Sequence, residues 1–374
     1  MKILHVASFK GNIGDNASHM GFAHILRRVL GEFEITQVEI RDFYKNRPAG
    51  ERRYFDRDFV AYANGFDLLV VGGGGFFDYW VEDSVTGTTI DISPANLEQL
   101  SVPTLFASIG SHPHKPVPPG NVEKFRRFVE QISSRSNMRI LPRNDGSIRQ
   151  MATMLSAQCL AEQQEILDNG FFYEQQVFDR YPVLGETPYV AWNITTDQLS
   201  MNANLQDGLI VQRYYENLAA AIMTISRETG FRHVFVPHIS SDLGAIVKLM
   251  GYLPDRLVRS EVMVAPYGEG DLAAQFAFNI YRESRVTVGM RFHSNVCPIA
   301  LGVDTIGLGV LERIKYVYDY FAVPQRCLDV ATDFSGALAE MICGSGVVQI
   351  SGDLLARKRE DSLEVYSRAF GAIL

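Results

Sequence analysis

The chain has 374 residues, 47% of them hydrophobic and 21% charged, with a formal net charge of −8. This is ordinary globular usage in a chain longer than one average domain, so two domains of similar size are expected. The acidic balance excludes a general nucleic-acid binder, and an anionic ligand would have to meet a local basic cluster.

The opening MKILHVASF is a short apolar run that stops at Lys10, which reads as a first buried strand rather than a signal peptide. No segment approaches the roughly 18 apolar residues of a membrane span. A cytoplasmic protein is expected, one that visits at most the inner face of a membrane. Ile3 to Phe9 then runs through Gly11-Asn12-Ile13-Gly14-Asp15-Asn16 into a helix whose stripe is Phe22, Ile25, Leu26, Val29 and Leu30. Asp15 or Asn16 can cap it. The glycine spacing is neither G-x-G-x-x-G nor a Walker loop, so it gives no ground for nucleotide phosphate binding.

Residues 32–64 suggest a strand near Ile35–Ile40, a loop and a helix. The apolar run Phe66 to Val71 reads as a central parallel strand, and four glycines, Gly72 to Gly75, lead to Asp78. Such a run implies a ligand or another backbone passing close by. Val102 to Ile109 repeats the strand pattern and ends near His112, a place where doubly wound sheets put ligands. His112 and His114 lack a third metal partner. The cysteines Cys159, Cys297, Cys327 and Cys343 lie far apart without a C-x-x-C pair, so no metal and no disulfide framework is expected.

A helix with Val122, Phe125, Phe128, Val129 and Ile132 on one face comes next, capped by Asn121. Then come a strand ending in Arg143-Asn144-Asp145-Gly146-Ser147 and a helical stretch over 149–167. The first half closes near 178–186, which divides the chain into domains 1–185 and 186–374. The second half opens on the alternating Tyr189 to Thr196, succeeded by a helix over Tyr215–Glu228. Further strands are expected at Val234–Val236, ending in His238 with Asp242 four residues on, and at Val262–Ala265. A helix over Asp271–Glu283 leads to the strand Val286–Val288. Asp304–Gly307 is the last clear strand, and Ser362–Leu374 reads as a terminal helix that packs back on the first domain.

After Val288 comes the richest turn: Gly289, Arg291, His293, Ser294, Asn295, then an apolar helix containing Pro298. Ser294 or Asn295 can be its cap, with Pro298 in the first turn. A guanidinium, an imidazole and a helix N-terminus on one spot suit an anion. Arg291 offers a planar fork, and His293 is the side chain most easily poised to exchange a proton near neutral pH. The plainer alternative is that Arg291 pairs with a nearby acid and His293 is a satisfied core histidine.

Gly289-Met290-Arg291-Phe292-His293-Ser294, with an apolar helix, Gly302 and a short strand after it, resembles the C-terminal signature of the polysaccharide pyruvyl transferase family. So do the glycine run with Asp78, the Asn12-Ile13-Gly14-Asp15 element, the His238…Asp242 pair and the Lys315-Tyr316 position. Two departures stand out: Asn144 separates Arg143 from Asp145, and Asn193, Thr195 and Thr196 occupy a place where family members carry a basic residue. The resemblance implies two Rossmann-like domains, glycosyltransferase-B-like, with an interdomain cleft. It implies transfer of the pyruvyl group of phosphoenolpyruvate to sugar hydroxyls of a polysaccharide or lipid-linked oligosaccharide, with phosphate released and no cofactor. His293, Arg291 and Asp15 would be catalytic. Asn12, Gly74, Gly75, Asp78, His112, His238, Asp242, Ser294 and Asn295 would bind substrate. A sugar-nucleotide-dependent glycosyltransferase of the same fold, or a non-catalytic glycan-binding relative, are the alternatives. As a polar residue of a cleft, Arg291 or His293 would be expected to change to alanine with loss of turnover and little loss of stability.

Overall fold

The computed structural model describes residues 1–374 except 49, 177–180, 203, 204, 206 and 345–348. The chain forms two compact units: Met1–Lys10 with Gly21–Asn169 and Ala356–Leu374, and Gly11–Met20 with Gly170–Leu355. The main crossing therefore falls after Asn169, whereas the sequence suggested 185; Phe178, within the expected boundary stretch, lies outside the described residues. Residues 11–20, the start of the helix Ile13–Leu30, belong to the second unit.

The first unit is built on β1 (Lys2–Ala7), β2 (Glu34–Glu39), β3 (Leu68–Gly74), β4 (Thr104–Ile109) and β5 (Met138–Pro142). They pair in parallel in the order β2-β1-β3-β4-β5. A parallel sheet with helical crossovers is covered on both faces, which is why β4 is buried along its whole length and β3 over all but its last residue, rather than on alternate positions. Phe77 meets Phe125 and Phe128 edge-on at centroid distances of 5.8 and 5.4 Å, and each such ring withdrawn from water stabilises the core by about 1.5–3 kcal/mol.

The glycine run has a backbone cause. A Cβ on Gly72 would lie 1.8 Å from the Ala107 carbonyl oxygen of β4, and Gly73 has φ +81°. A side chain at Gly72 would displace the neighbouring strand, and one at Gly73 would be strained by the left-handed backbone. The stretch 149–167 is not one helix but two short ones, Ser147–Ala152 and Ala157–Ala161. The terminal helix begins at Gly352 rather than Ser362 and ends at Ile373. Its Tyr366 is fully buried and donates to Asn169 Oδ1 at 2.6 Å, and Ser362 Oγ accepts from the Leu167 amide at 3.0 Å.

The second unit carries β6 (Tyr189–Asn193), β7 (Arg232–Phe235), β8 (Val262–Val264), β9 (Val286–Gly289), β10 (Thr305–Leu308) and β11 (Cys327–Leu328). Their order is β11-β10-β9-β6-β7-β8, again parallel. From β6 the chain moves one way through β7 and β8, then returns to the other side for β9, β10 and β11. The β6/β9 boundary is thus a topological switch point, as the β1/β3 boundary is in the first unit. Among the described residues, no helix is long and apolar enough to cross a membrane.

Candidate functional site

In open parallel sheets, ligands sit outside the carboxyl ends of the strands at a switch point. In the second unit that place is made by the segments leaving β6 and β9, namely Asn193 to Asp197 and Gly289 to His293. The helix after β9 runs His293–Ala300 with Phe292 at its cap position, so neither Ser294 nor Asn295 is the cap. Pro298 falls in the second turn, not the first, and the Ser294 carbonyl loses its usual helical donor.

Ser294 and Asn295, both 0% exposed, are used internally, which corrects their assignment to substrate. Ser294 Oγ lies 3.1 Å from Asn193 Oδ1 and 2.7 Å from the Arg291 carbonyl. Asn295 donates to the carbonyls of Gly289 and Arg291 and accepts from Tyr318 Oη at 2.7 Å. These bonds tie the turn to its own strand and helix.

Arg291 differs most from expectation. It is nearly buried, and its guanidinium is not an open anion fork. Nε donates to both oxygens of Asp242 (3.1 and 2.9 Å), while Nη2 donates to Asp242 Oδ1 (2.6 Å), Thr195 Oγ1 (2.8 Å) and Asp197 Oδ1 (2.8 Å). The plainer alternative, an arginine paired with an acid, describes this geometry. Burial disfavours the charge on both partners. Their mutual hydrogen bonds and attraction outweigh it, holding the Asp242 carboxyl below its usual range and the Arg291 guanidinium above its own.

His238 and Asp242 are likewise brought together as a brace. Asp242 Oδ2 accepts the amides of His238 (2.9 Å) and Ile239 (3.3 Å), and His238 Nε2 meets Tyr281 Oη at 2.9 Å. Burial, aided by the Arg291 and His293 charges and opposed by Asp242, pushes the His238 imidazole down to about 3.

The glycine loop after β1 supplies the rest. Asn12, rather than Asp15 or Asn16, starts its helix: its Oδ1 accepts the Gly14 amide at 3.0 Å. Its Nδ2 donates to Asp15 Oδ1 at 3.0 Å, and that same oxygen lies 3.5 Å from His293 Nδ1. A Cβ on Gly14 would be 2.7 Å from His293 Cβ, so glycine here lets the imidazole close onto the loop. The Ile13 amide donates to the His238 carbonyl at 3.2 Å. Asn12, Asp15, His238, Asp242, Arg291 and His293 thus form one cluster.

Gly74, Gly75, Asp78 and His112 form a separate cluster in the first unit, beyond β3 and β4. Asp78 Oδ1 accepts the His112 amide at 2.6 Å, and a Cβ on Gly75 would meet the Asp78 carboxylate at 3.0 Å. His112 Nε2 lies 3.4 Å from Gln150 Nε2. Beneath them Arg143, 3% exposed, pairs with Asp145 (2.6 Å) and Asp168 (3.3 Å), and is a buried structural ion pair. Lys315 is also taken up, by Glu312 (3.1 Å) and Asp329 (3.4 Å). A hollow of about 290 Å³ between the helices Gly208–Thr229 and Ser335–Cys343 shares no residue with either cluster.

No protein-family model matches the chain, and no curated protein does. Solved structures do. Over 98% of this chain and 100% of theirs, it is similar to the UDP-GlcNAc 2-epimerases of Neisseria meningitidis (10% identity, TM-score 0.57) and Methanocaldococcus jannaschii (9%, 0.54). Over 96% of this chain and 90% of the other, it is similar to the S. aureus MnaA protein solved with UDP (9%, 0.52). The chain has a glycosyltransferase-B-like fold. At these identities the likeness is one of fold alone.

Within this glycosyltransferase-B-like chain, Asn193 and Thr195 stand out in the sequence only as a departure from the family pattern, and Asp197 not at all, yet the three complete the Arg291 environment. Asn193 Oδ1 accepts the Arg291 amide at 3.0 Å. No periodicity links them: Asn193 ends β6, Thr195 lies in the segment after it, and Asp197 opens the short helix Asp197–Met201.

Two buried histidines make the fold acid-sensitive. His233, between Trp192 Nε1 (3.1 Å) and Ser226 Oγ (2.9 Å), is held down to about 3 by burial, as is His238. With folded values below the unfolded value of about 6.5, the unfolded state binds more protons throughout that interval. Stability is therefore complete above about pH 6.5 and falls as pH drops toward 3. Thermal midpoints measured from pH 7.5 to 4 should decline steadily, and a His233→Asn variant should show a shallower decline; a flat profile in the native chain refutes this.

Proposed function

We propose that the protein is a carbohydrate-active transferase that uses the Asp15–His293 pair as its acid–base group and takes its donor from the sugar nucleotides. The observation that carries this reading is the pair itself, with Asp15 Oδ1 3.5 Å from His293 Nδ1, beside the carboxyl end of β9 at a switch point. A carboxylate on Nδ1 selects the tautomer with its proton there, which makes Nε2 the basic nitrogen and steadies the imidazolium once it forms. The spacing is long for a hydrogen bond, as catalytic pairs often are before substrate arrives.

In such a reaction an acceptor hydroxyl attacks the anomeric carbon and the bond from that carbon to the diphosphate oxygen breaks. His293 is 6% exposed and its Nε2 is covered, so the side chain must open toward the acceptor to take the hydroxyl proton, and the nucleoside diphosphate leaves with the bonding electrons. The first amides of the helix His293–Ala300 suit the charge that gathers on the leaving group. The fold neighbours include a UDP-GlcNAc 2-epimerase bound to UDP-GlcNAc and a UDP co-structure, which supports a nucleotide donor.

Both donors are anionic, and charge density weighs more on compact phosphoenolpyruvate than on a diphosphate, whose two charges are spread over two phosphoryl groups. Phosphoenolpyruvate concentrates a phosphate and a carboxylate within a few ångströms, and calls for more than one fixed cation. Arg291 is the cation of this cluster, and Asp242 already matches it. Pyruvyl transfer from phosphoenolpyruvate to a polysaccharide or lipid-linked oligosaccharide is the second reading. What favours it is the sequence Gly289 to Ser294 together with the nearness of Asp15 to His293, since that reaction needs an acid for the enol methylene and a base for the sugar hydroxyl.

Incubation with nucleotide sugars or phosphoenolpyruvate plus oligosaccharide acceptors separates the two. Release of nucleoside diphosphate is expected. Release of inorganic phosphate from phosphoenolpyruvate instead moves the assignment to pyruvyl transfer, and release of neither product from a broad acceptor panel rejects both.

A further inference from the structure

The Arg291 guanidinium has more acidic partners than it has charge. Asp242 is enough by itself: completely buried, it takes the Nε–Nη2 edge with both oxygens and is tied down by two backbone amides. That carboxylate is a permanent partner. Asp197 is of another kind. Its side chain is 33% exposed, it reaches Nη2 from the first position of the short helix Asp197–Met201 that follows β6, and it is steadied by the Thr195 hydroxyl.

Two carboxylates around one guanidinium leave a net negative charge in a largely buried setting, where like charges repel with little screening. Nothing about matching Arg291 calls for the second acid. Meanwhile Nη1 makes no hydrogen bond among the described residues, so the outer Nη1–Nη2 edge is half used, and by the more exposed of the two acids. That edge lies at the carboxyl ends of β6 and β9, the switch point where this sheet type receives ligands. An arginine fork takes carboxylate and phosphoryl oxygens in the same bidentate geometry.

We propose that Asp197 is a built-in anion mimic, seated where a phosphoryl group of the donor binds the outer edge of Arg291, and that it must leave for the donor to enter. This rests on the reading of the site as a donor site. Asp242 then keeps the guanidinium oriented while Asp197 sets how strongly an anion must compete. The device makes Asp197 a specificity-determining residue: weak or singly charged anions fail to displace it, while a chelating phosphoryl ligand succeeds.

The test is calorimetric titration of the full chain with inorganic pyrophosphate, UDP and phosphoenolpyruvate at fixed ionic strength, which needs no turnover. Asp197→Asn, which removes the charge and keeps the shape, should bind pyrophosphate at least tenfold more tightly than the native chain. Asp197→Glu, which keeps a carboxylate, should stay within threefold. A larger gain for UDP than for phosphoenolpyruvate identifies the phosphoryl source as a nucleotide, and the reverse identifies it as the enol phosphate. Equal affinity of Asp197→Asn and native chain within twofold, weaker binding by the variant, or no binding by either overturns the proposal. Should Asp197→Asn melt abnormally, Asp197→Ser is judged by the same bounds. Because product release is measured separately on the native chain, failure here leaves the transferase reading standing, and failure there does not alter the titration.

Discussion

Arg291→Ala should lower the thermal midpoint by roughly 6–20 °C, the equivalent of about 3–5 kcal/mol in a unit of this size. The substitution leaves Asp242, 0% exposed and stripped of its bidentate partner, as an uncompensated buried charge. Asp242→Ala should be as damaging, for it strands the guanidinium and also frees the two amides that Asp242 caps. The double variant Arg291→Met/Asp242→Leu removes both charges and should recover much of the loss, because a buried pair replaced by apolar groups is often neutral. Melting of the three variants by circular dichroism decides the matter. An Arg291→Ala midpoint within 2 °C of the native chain would show that the pair is dispensable. This expectation reverses the one drawn from sequence, where Arg291 is a cleft residue of little consequence for stability.

His293→Ala should reduce kcat by about 10²–10⁴-fold, the range for removal of a general acid–base group. Asp15→Asn keeps a side chain beside Nδ1 but withdraws the negative charge, and should cost less than His293→Ala while displacing the acidic limb of the pH–rate profile, which the general base sets. Both are read by product release at saturating donor and acceptor. Since His293 packs on Gly14, the alanine variant leaves a gap, and His293→Gln serves as the better-packed comparison. Native-like turnover in folded His293→Gln would remove the imidazole from the chemistry and leave it as a core side chain.

Much of the fold was legible because its signals are local. Continuous apolar runs such as Leu68 to Val71, glycine-bounded and of strand length, can only be buried on both faces. The three- and four-residue recurrence of Phe22, Ile25 and Leu26 defines a helix face, and all three are fully buried. The glycine run was legible as a site of close approach, though not what approaches: the partner is the Ala107 carbonyl of β4. Errors cluster where caps compete. Asn12 takes the cap that Asp15 and Asn16 could have filled, and Phe292 stands where Ser294 or Asn295 was expected, because their side chains bond more favourably to Asn193, Gly289 and Tyr318.

The partners of Arg291 were not legible. Asp242 is 49 residues away in sequence and Asp197 is 94, and no periodicity or motif spans such intervals. What joins them is the parallel register of β6 on β9, with Asn193 opposite Gly289, and of β7 beside β6. By itself the sequence determined the elements, the two-domain α/β class and the presence of an arginine and a histidine at one strand end, since these arise from patterns a few residues long. Only the tertiary structure decided that the arginine is already matched by a buried carboxylate, that the histidine faces Asp15, and that a second, exposed acid stands at the outer edge. Charge pairing depends on which strand ends lie side by side, and that is settled by sheet order.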